Sequence, residues 1–223
     1  MVEPTQISAV IFDMDGLMLD TERIYQVAWR SAGKTLGFHL SDAFLHTTTG
    51  RPAHDCHRLL REAHGQDFPL DQFVTVCALH WDDHVAAHGI ALKPGLSELL
   101  DWLDERHIPK AVATSTAHAK ALLSLRTAGL ASRFEHIVGG DQIQNGKPAP
   151  DIFLAAAKRL DVNPARCLAL EDSEAGVVAA STAGMMTIMV PDIKQPSAEI
   201  AARAYRVLPS LHDVRRLIEE TWL

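Results

Sequence analysis

Cysteine is scarce in this sequence, which has only three cysteines in 223 residues, at Cys56, Cys77 and Cys167. No two of them have the Cys-x-x-Cys spacing, and an odd number cannot all be paired within one chain. This usage argues against a fold stabilised by disulfides. We therefore expect free thiols in a reducing compartment, and we interpret the protein as cytoplasmic.

An excess of positive charge and long apolar runs are also missing. The chain has 21 Lys and Arg against 28 Asp and Glu, a formal net charge of −7, which argues against nucleic acid or an anionic membrane as partner. No apolar stretch approaches the roughly 20 residues that a membrane-spanning helix needs. Residues 1–6 are polar and acidic and predict no signal peptide. We expect no nucleic-acid partner, no membrane association and, by default, a monomer.

What the chain does have is an alternation of short apolar segments with helical patterns. A hydrophobic content of 47% in a chain of this length allows a substantial core. From residue 91 onward, strand and helix patterns alternate, which predicts a parallel α/β sheet, and the apolar segment at residues 7–12 is assigned to the same sheet. Residues 19–90 have helical spacing and no convincing strand. The sequence therefore predicts a Rossmann-like α/β core, residues 1–18 and 91–223, with an inserted all-helical domain, residues 19–90.

The most informative segment lies at residues 8–17. Its apolar part ends in two carboxylates, Asp13 and Asp15, and Gly16 follows at once. Two acids at the end of a buried strand repel each other and lose hydration, so the arrangement is costly without a cation beside it or a reaction to perform. The ordinary alternative is an Asp- and Gly-rich turn after a strand.

Polar side chains also follow the other predicted strands, except the one at residues 186–190. They are Thr114 and Ser115, Lys147 in the loop at residues 139–150, and Glu171 and Asp172. Because the carboxyl ends of parallel strands with right-handed crossovers lie at one sheet edge, we expect these residues to converge with Asp13. Taken singly, each has an ordinary interpretation: a turn or cap, a solvated lysine, or acids at a helix start.

The charges in this set suit a metal-dependent phosphoryl transfer. The carboxylates of Asp13 and Asp172, with a backbone carbonyl, would offer the oxygen ligands that Mg²⁺ prefers. The Thr114 hydroxyl and the Lys147 ammonium would face phosphate oxygens. Each pair of unit charges between a carboxylate and a phosphate costs roughly 4 kcal/mol at about 4 Å and an effective dielectric near 20. One Mg²⁺ and one lysine would reverse that repulsion.

Four segments together carry a resemblance to a known family. In chain order they are Asp13-Met-Asp-Gly, Val112-Ala-Thr-Ser, Gly146-Lys-Pro-Ala-Pro-Asp and Glu171-Asp-Ser-Glu-Ala-Gly. Their types and order resemble the four motifs of the haloacid dehalogenase-like hydrolase superfamily, over nearly the whole chain. The helical insert is similar to the cap of the branch that contains beta-phosphoglucomutase and sugar-phosphate phosphatases.

The resemblance implies two catalytic residues. Asp13 would be the nucleophile that forms an aspartyl phosphate. Asp15 would protonate the leaving oxygen and then activate water as a base. The acid at Asp15 separates this chain from the dehalogenases proper, which differ at that position and attack carbon.

The resemblance also implies the binding residues. Phosphoryl oxygens would be bound by Thr114, Ser115 and Lys147. The Mg²⁺ ion would be held by Asp13, by Asp15 through its carbonyl, and by Asp172, with Glu171 as a further candidate. The core motifs recognise only phosphate, so the insert should select the substrate, and Arg51 is the best candidate residue there. Its ordinary interpretation is a surface arginine.

Three functions remain open at this point. A phosphatase acting on a small phosphorylated metabolite, with a sugar phosphate as the first choice, is favoured. Beta-phosphoglucomutases carry a pattern like Asp-Thr-x-x-x-His, whereas here Asp20-Thr21 is followed by Tyr25 at the histidine position, which makes a mutase the alternative. A non-catalytic phosphate- or protein-binding member is the second alternative, and the intact acids at Asp13 and Asp15 argue against it.

Overall fold

The computed structural model describes residues 7–49 and 53–221. The chain divides into two compact units. The residues up to Asp20 together with those from Ala91 onward form an α/β unit, and Thr21–Ile90 forms a helical unit. The chain thus leaves the first unit after one strand and returns to it about 70 residues later.

A six-stranded parallel sheet is the centre of the α/β unit. Its strands are β1 (Ala9–Phe12), β2 (Lys110–Ala113), β3 (His136–Val138), β4 (Cys167–Glu171), β5 (Met186–Met189) and β6 (Arg206–Val207). Their order is β3-β2-β1-β4-β5-β6, so β1 lies in the interior between β2 and β4. The predicted Rossmann-like α/β fold class is confirmed.

The helical unit contains four helices among its described residues. They are α1 (Thr21–Thr35), α2 (Asp42–Thr48), α3 (Ala53–His64) and α4 (Leu70–His88). Helices α1 and α4 pack along each other through aromatic side chains: the Tyr25 and Trp81 ring centroids lie 4.2 Å apart, and those of Trp29 and Phe73 lie 5.2 Å apart. No helix in the described ranges has the length and apolar character needed to cross a bilayer.

Helices cover both faces of the sheet. They are α5 (Leu96–Glu105), α6 (His118–Thr127), α7 (Asp151–Arg159), α8 (Glu174–Thr182), α9 (Ala198–Arg203) and α10 (Leu211–Thr221). Ala9 and Ile11 of β1 belong to one apolar cluster with residues of α7 and α8. Val10 and Phe12 point to the opposite face and are also fully buried. Burial on both faces explains why β1 is apolar throughout rather than alternating.

Two glycines with positive φ provide a matched test of packing in this unit. Gly95 (φ +88) precedes α5, and a Cβ there would lie 2.2 Å from the His212 backbone nitrogen at the start of α10. Gly184 (φ +80) follows α8, and a Cβ there would meet no heavy atom within 4 Å. Alanine at either position is strained by its φ, by about 1 kcal/mol. Only at Gly95 must packed backbone also move, which costs about 1–3 kcal/mol more.

We therefore expect Gly95→Ala to lower the free energy of unfolding by about 1–3 kcal/mol more than Gly184→Ala does. Urea unfolding of the two variants and of the wild type measures this difference. Equal losses would show that α5 and α10 do not constrain Gly95.

Candidate active site

Lys147 joins two carboxylates at the carboxyl edge of the sheet. Its Nζ donates hydrogen bonds to Asp13 Oδ1, to Glu171 Oε1 at 2.5 Å and to the Ala113 carbonyl oxygen at 3.2 Å. The side chains of Lys147, Asp13 and Glu171 are 6%, 8% and 0% exposed. The structure thus brings together the ends of β1, β2 and β4 around one buried ammonium group, and the interpretation of Lys147 as a solvated loop lysine is wrong.

Asp15 is held by two hydroxyls from the loop after β2. Thr116 Oγ1 donates to Asp15 Oδ2 at 2.8 Å, and Thr114 Oγ1 donates to the same oxygen at 3.2 Å. The Thr116 amide donates to Thr114 Oγ1 at 3.1 Å, which fixes the loop between them. Thr114 is among the residues predicted from the sequence and Thr116 is not, although the run Thr-Ser-Thr after a strand end was the available signal. Ser115, between them, is exposed.

Gly16 leaves the space that Asp172 occupies. Its φ is +86, and a Cβ on it would lie 2.3 Å from Asp172 Oδ2, so a side chain here would displace that carboxylate. Asp13, Glu171 and Asp172 each offer a carboxylate oxygen within 4.8 Å of the others. This spacing and these ligand types suit a hard divalent cation. The carbonyl of Asp15, the fourth predicted ligand, is not part of this side-chain group.

Both carboxylate oxygens of Glu171 accept hydrogen bonds from the protein. Its Oε2 accepts hydrogen bonds from the amides of Asp172 and Ser173, both at 3.0 Å, and from the Ser173 hydroxyl at 2.9 Å, while Oε1 accepts from Lys147. Gly176 of α8 allows this close packing, because a Cβ there would lie 1.8 Å from Oε1. We interpret Glu171 as the anchor that holds Lys147, with a metal contact as its lesser role.

The cluster has strongly perturbed proton affinities. Burial, with smaller contributions from the nearby charges of Glu171 and Asp15, raises the pKa of Asp13 to about 8 against the attraction of Lys147. Burial opposes the charge on Lys147, but Asp13 and Glu171 outweigh it and raise the Lys147 pKa. Lys147 thus carries one positive charge between two carboxyl groups, those of Asp13 and Glu171. This imbalance favours the binding of an additional cation.

Arg51, the predicted selectivity residue, lies outside the described residues. Its role therefore stays a prediction. All the other predicted site residues lie in the α/β unit.

Comparisons with known proteins find similarity over most of this chain. The family model described as haloacid dehalogenase-like hydrolase matches residues 10–190. The phosphorylated carbohydrates phosphatase of Thermotoga maritima is 34% identical, over 95% of this chain and 90% of its own. The mitochondrial (DL)-glycerol-3-phosphatase 1 of Arabidopsis thaliana is 36% identical, over 94% of this chain and 72% of its own. A crystal structure of a beta-phosphoglucomutase candidate from Thermotoga maritima superimposes with a TM-score of 0.81 and 31% identity, covering 96% of this chain and 99% of that one.

The raised pKa of Asp13 predicts a pH-dependent gain in stability for Asp13→Asn. Asp13 titrates near 3.8 when unperturbed and at about 8 in the folded protein. Between these values the folded carboxyl keeps a proton that the unfolded chain has lost, so wild-type stability falls as pH rises, by at most about 1.4 kcal/mol per pH unit. The variant lacks this loss. Its stability advantage should therefore grow from pH 5 to pH 8 in urea unfolding with EDTA present.

The control is Asp104→Asn, which removes an exposed carboxylate paired with Lys110 and Arg133. Its stability relative to wild type should show no growing advantage over the same pH range. A constant advantage of Asp13→Asn at every pH would contradict the raised pKa.

Proposed function

Because this chain belongs to the haloacid dehalogenase-like hydrolase family, we propose that it is a phosphoric monoester hydrolase acting on a small phosphorylated metabolite. The observation that carries the proposal is the buried Lys147 between Asp13 and Glu171, with Asp15 held two residues further along the chain. The named activities of the relatives support it, since they act on phosphorylated carbohydrates and on glycerol 3-phosphate. A sugar phosphate is the first substrate class that we propose.

Asp13 is the proposed nucleophile. Its carboxylate lies at the end of β1, where backbone pairing with β2 and β4 holds the strand on both sides. One carboxylate oxygen attacks phosphorus, an aspartyl phosphate forms, and the bond from phosphorus to the substrate oxygen breaks. Lys147 binds the phosphoryl oxygens together with Thr114 and Ser115. Their positive charge and hydrogen-bond donors offset the repulsion between dianion and carboxylate.

Asp15 is the proposed proton carrier. The hydroxyls of Thr114 and Thr116 hold its carboxyl group at one oxygen. The protonated acid gives its proton to the departing substrate oxygen, and the resulting carboxylate then takes a proton from the water that attacks the aspartyl phosphate. Alcohol and inorganic phosphate leave, and both aspartates return to their starting states.

A Mg²⁺ ion is the proposed cofactor. Asp13 and Asp172 would hold it with the carbonyl of Asp15. Two observations support this assignment: the carboxylate oxygens of Asp13 and Asp172 lie within 4.8 Å of each other, and the absence of a side chain on Gly16 leaves room for Asp172. When bound, the ion supplies positive charge that offsets the phosphate dianion.

The helical unit is the proposed source of substrate selectivity, since the cluster in the α/β unit reads only the phosphate. We assign residues 19–90 to this cap and residues 1–18 and 91–223 to the catalytic core. A cytoplasmic location, a monomeric state and the absence of a nucleic-acid partner stay predictions.

Phosphate release from a panel of phosphorylated metabolites tests the proposed function. With Mg²⁺, we expect wild-type protein to release inorganic phosphate, EDTA to abolish release, and Asp13→Asn to lower kcat/KM by about a thousandfold or more, because no other group replaces the nucleophile. Beta-glucose 1-phosphate belongs in the panel with analysis of its products.

Two outcomes would overturn the proposal in favour of its alternatives. Glucose 6-phosphate formed without release of phosphate would show a mutase, the activity suggested by one structural relative. No hydrolysis of any phosphoester with Mg²⁺ would favour a non-catalytic phosphate- or protein-binding protein.

If Arg51 contacts the part of the substrate other than the phosphate, its replacement should raise KM most for the substrate with the larger such part. We expect Arg51→Ala to raise KM for the best metabolite in the panel by about tenfold, the value of one lost charged hydrogen bond. The KM for a small chromogenic phosphoester should change far less. Equal effects on both substrates would refute a role in selectivity.

A further inference from the structure

Asp192 is a buried carboxylate that the proposed mechanism does not use. It follows β5 after Val190 and Pro191, at a strand end for which the sequence predicts no polar site residue. Its side chain is 7% exposed, and Oδ1 accepts a hydrogen bond from Lys93 Nζ at 2.5 Å. The other oxygen, Oδ2, is buried without a hydrogen-bond partner among the described residues. Burial of a charged oxygen without a hydrogen-bond partner costs free energy, unless a group that is not part of the protein chain contacts that oxygen.

The unpartnered oxygen faces the acid cluster. A Cβ on Gly16 would lie 2.3 Å from Asp172 Oδ2 and 3.5 Å from Asp192 Oδ2. The two carboxylate oxygens are therefore no further apart than the sum of these distances. Two carboxylate oxygens within this limit are close enough for one water molecule to contact both.

Asp192 lies outside the group formed by Asp13, Glu171 and Asp172, whose oxygens are within 4.8 Å of one another. It is thus poorly placed to ligate the same ion directly. Magnesium usually keeps several of its waters when protein carboxylates bind it, and those waters need acceptors. Asp192 Oδ2 is an acceptor that has no donor among the described residues, and it lies near Asp172, one of the proposed metal ligands.

We propose that Asp192 is a positioning residue for the cation, with Oδ2 accepting a hydrogen bond from a metal-bound water and Oδ1 neutralised by Lys93. This inference rests on the metal site of the proposed function. It extends the set of strands that serve the site to β5. The Lys93 backbone amide donates to the Met18 carbonyl oxygen at 2.9 Å, so the pair also connects this site to the segment through which the chain returns to the α/β unit.

Calorimetric titration with MgCl₂ tests this inference without an activity assay. Loss of an outer-shell partner weakens metal binding by about 10- to 100-fold, so we expect Asp192→Asn to raise the Kd for Mg²⁺ at least tenfold. The matched control is Asp104→Asn, which breaks another Lys–Asp pair in the same unit, with Lys110. Its Kd for Mg²⁺ should equal that of the wild type. Thermal unfolding confirms that each variant is folded, and Asp192→Ser replaces Asp192→Asn if the latter is not.

Lys93→Gln separates a metal role from a purely structural ion pair. It removes the pair but keeps the carboxylate charge near the cation, so we expect Mg²⁺ binding as tight as in the wild type or tighter. If the ion pair only stabilises the fold, replacing Asp192 or Lys93 should lower the free energy of unfolding by similar amounts. The Kd of the folded variants for Mg²⁺ should then equal that of the wild type. An unchanged Kd in Asp192→Asn overturns this inference and leaves the proposed function standing. Absence of Mg²⁺ binding by the wild type overturns both this inference and the proposed magnesium site, whereas the hydrolase activity is decided by the phosphate-release panel.

Discussion

One buried ammonium group holds the acid cluster of this protein together. Lys147 contacts Asp13 from β1 and Glu171 from β4, and it also bonds to the carbonyl at the end of β2. Without this cation, the buried carboxylates of Asp13 and Glu171 would repel each other in an environment of low dielectric, where repulsion is strong. Glu171 is in turn held by backbone amides at the start of α8. The position of the proposed nucleophile thus depends on three strands and one helix end at once.

The arrangement of charges in this cluster favours ligand binding and lowers the stability of the protein without a ligand. One lysine does not balance the two carboxyl groups that it contacts, and burial together with nearby negative charge raises the pKa of Asp13. Such costs are typical of functional sites, where groups are kept in environments that disfavour them until substrate or cofactor binds. The unpartnered oxygen of Asp192 has the same character at the edge of the cluster. A divalent cation would supply the positive charge that the cluster lacks.

Glycine at two positions allows the charged groups to come close. Gly16 leaves room for Asp172, and Gly176 leaves room for Glu171, each where a Cβ would overlap a carboxylate. Both glycines stand directly within the motifs that carry the family resemblance. Their presence is therefore explained by space beside an acid, and at Gly16 also by a positive φ.

The fold class and the convergence of Asp13, Lys147 and Glu171 could be predicted from the amino-acid sequence, because apolar period and strand-end position are local properties and parallel strands share one edge. Tertiary structure alone decided three features of the site. They are the hydrogen bond from Thr116 to Asp15, the hydrogen bonds that hold Glu171, and the Asp192 oxygen that has no partner among the described residues. Each depends on a distance between atoms that the backbone brings together, and no spacing along the chain encodes that distance.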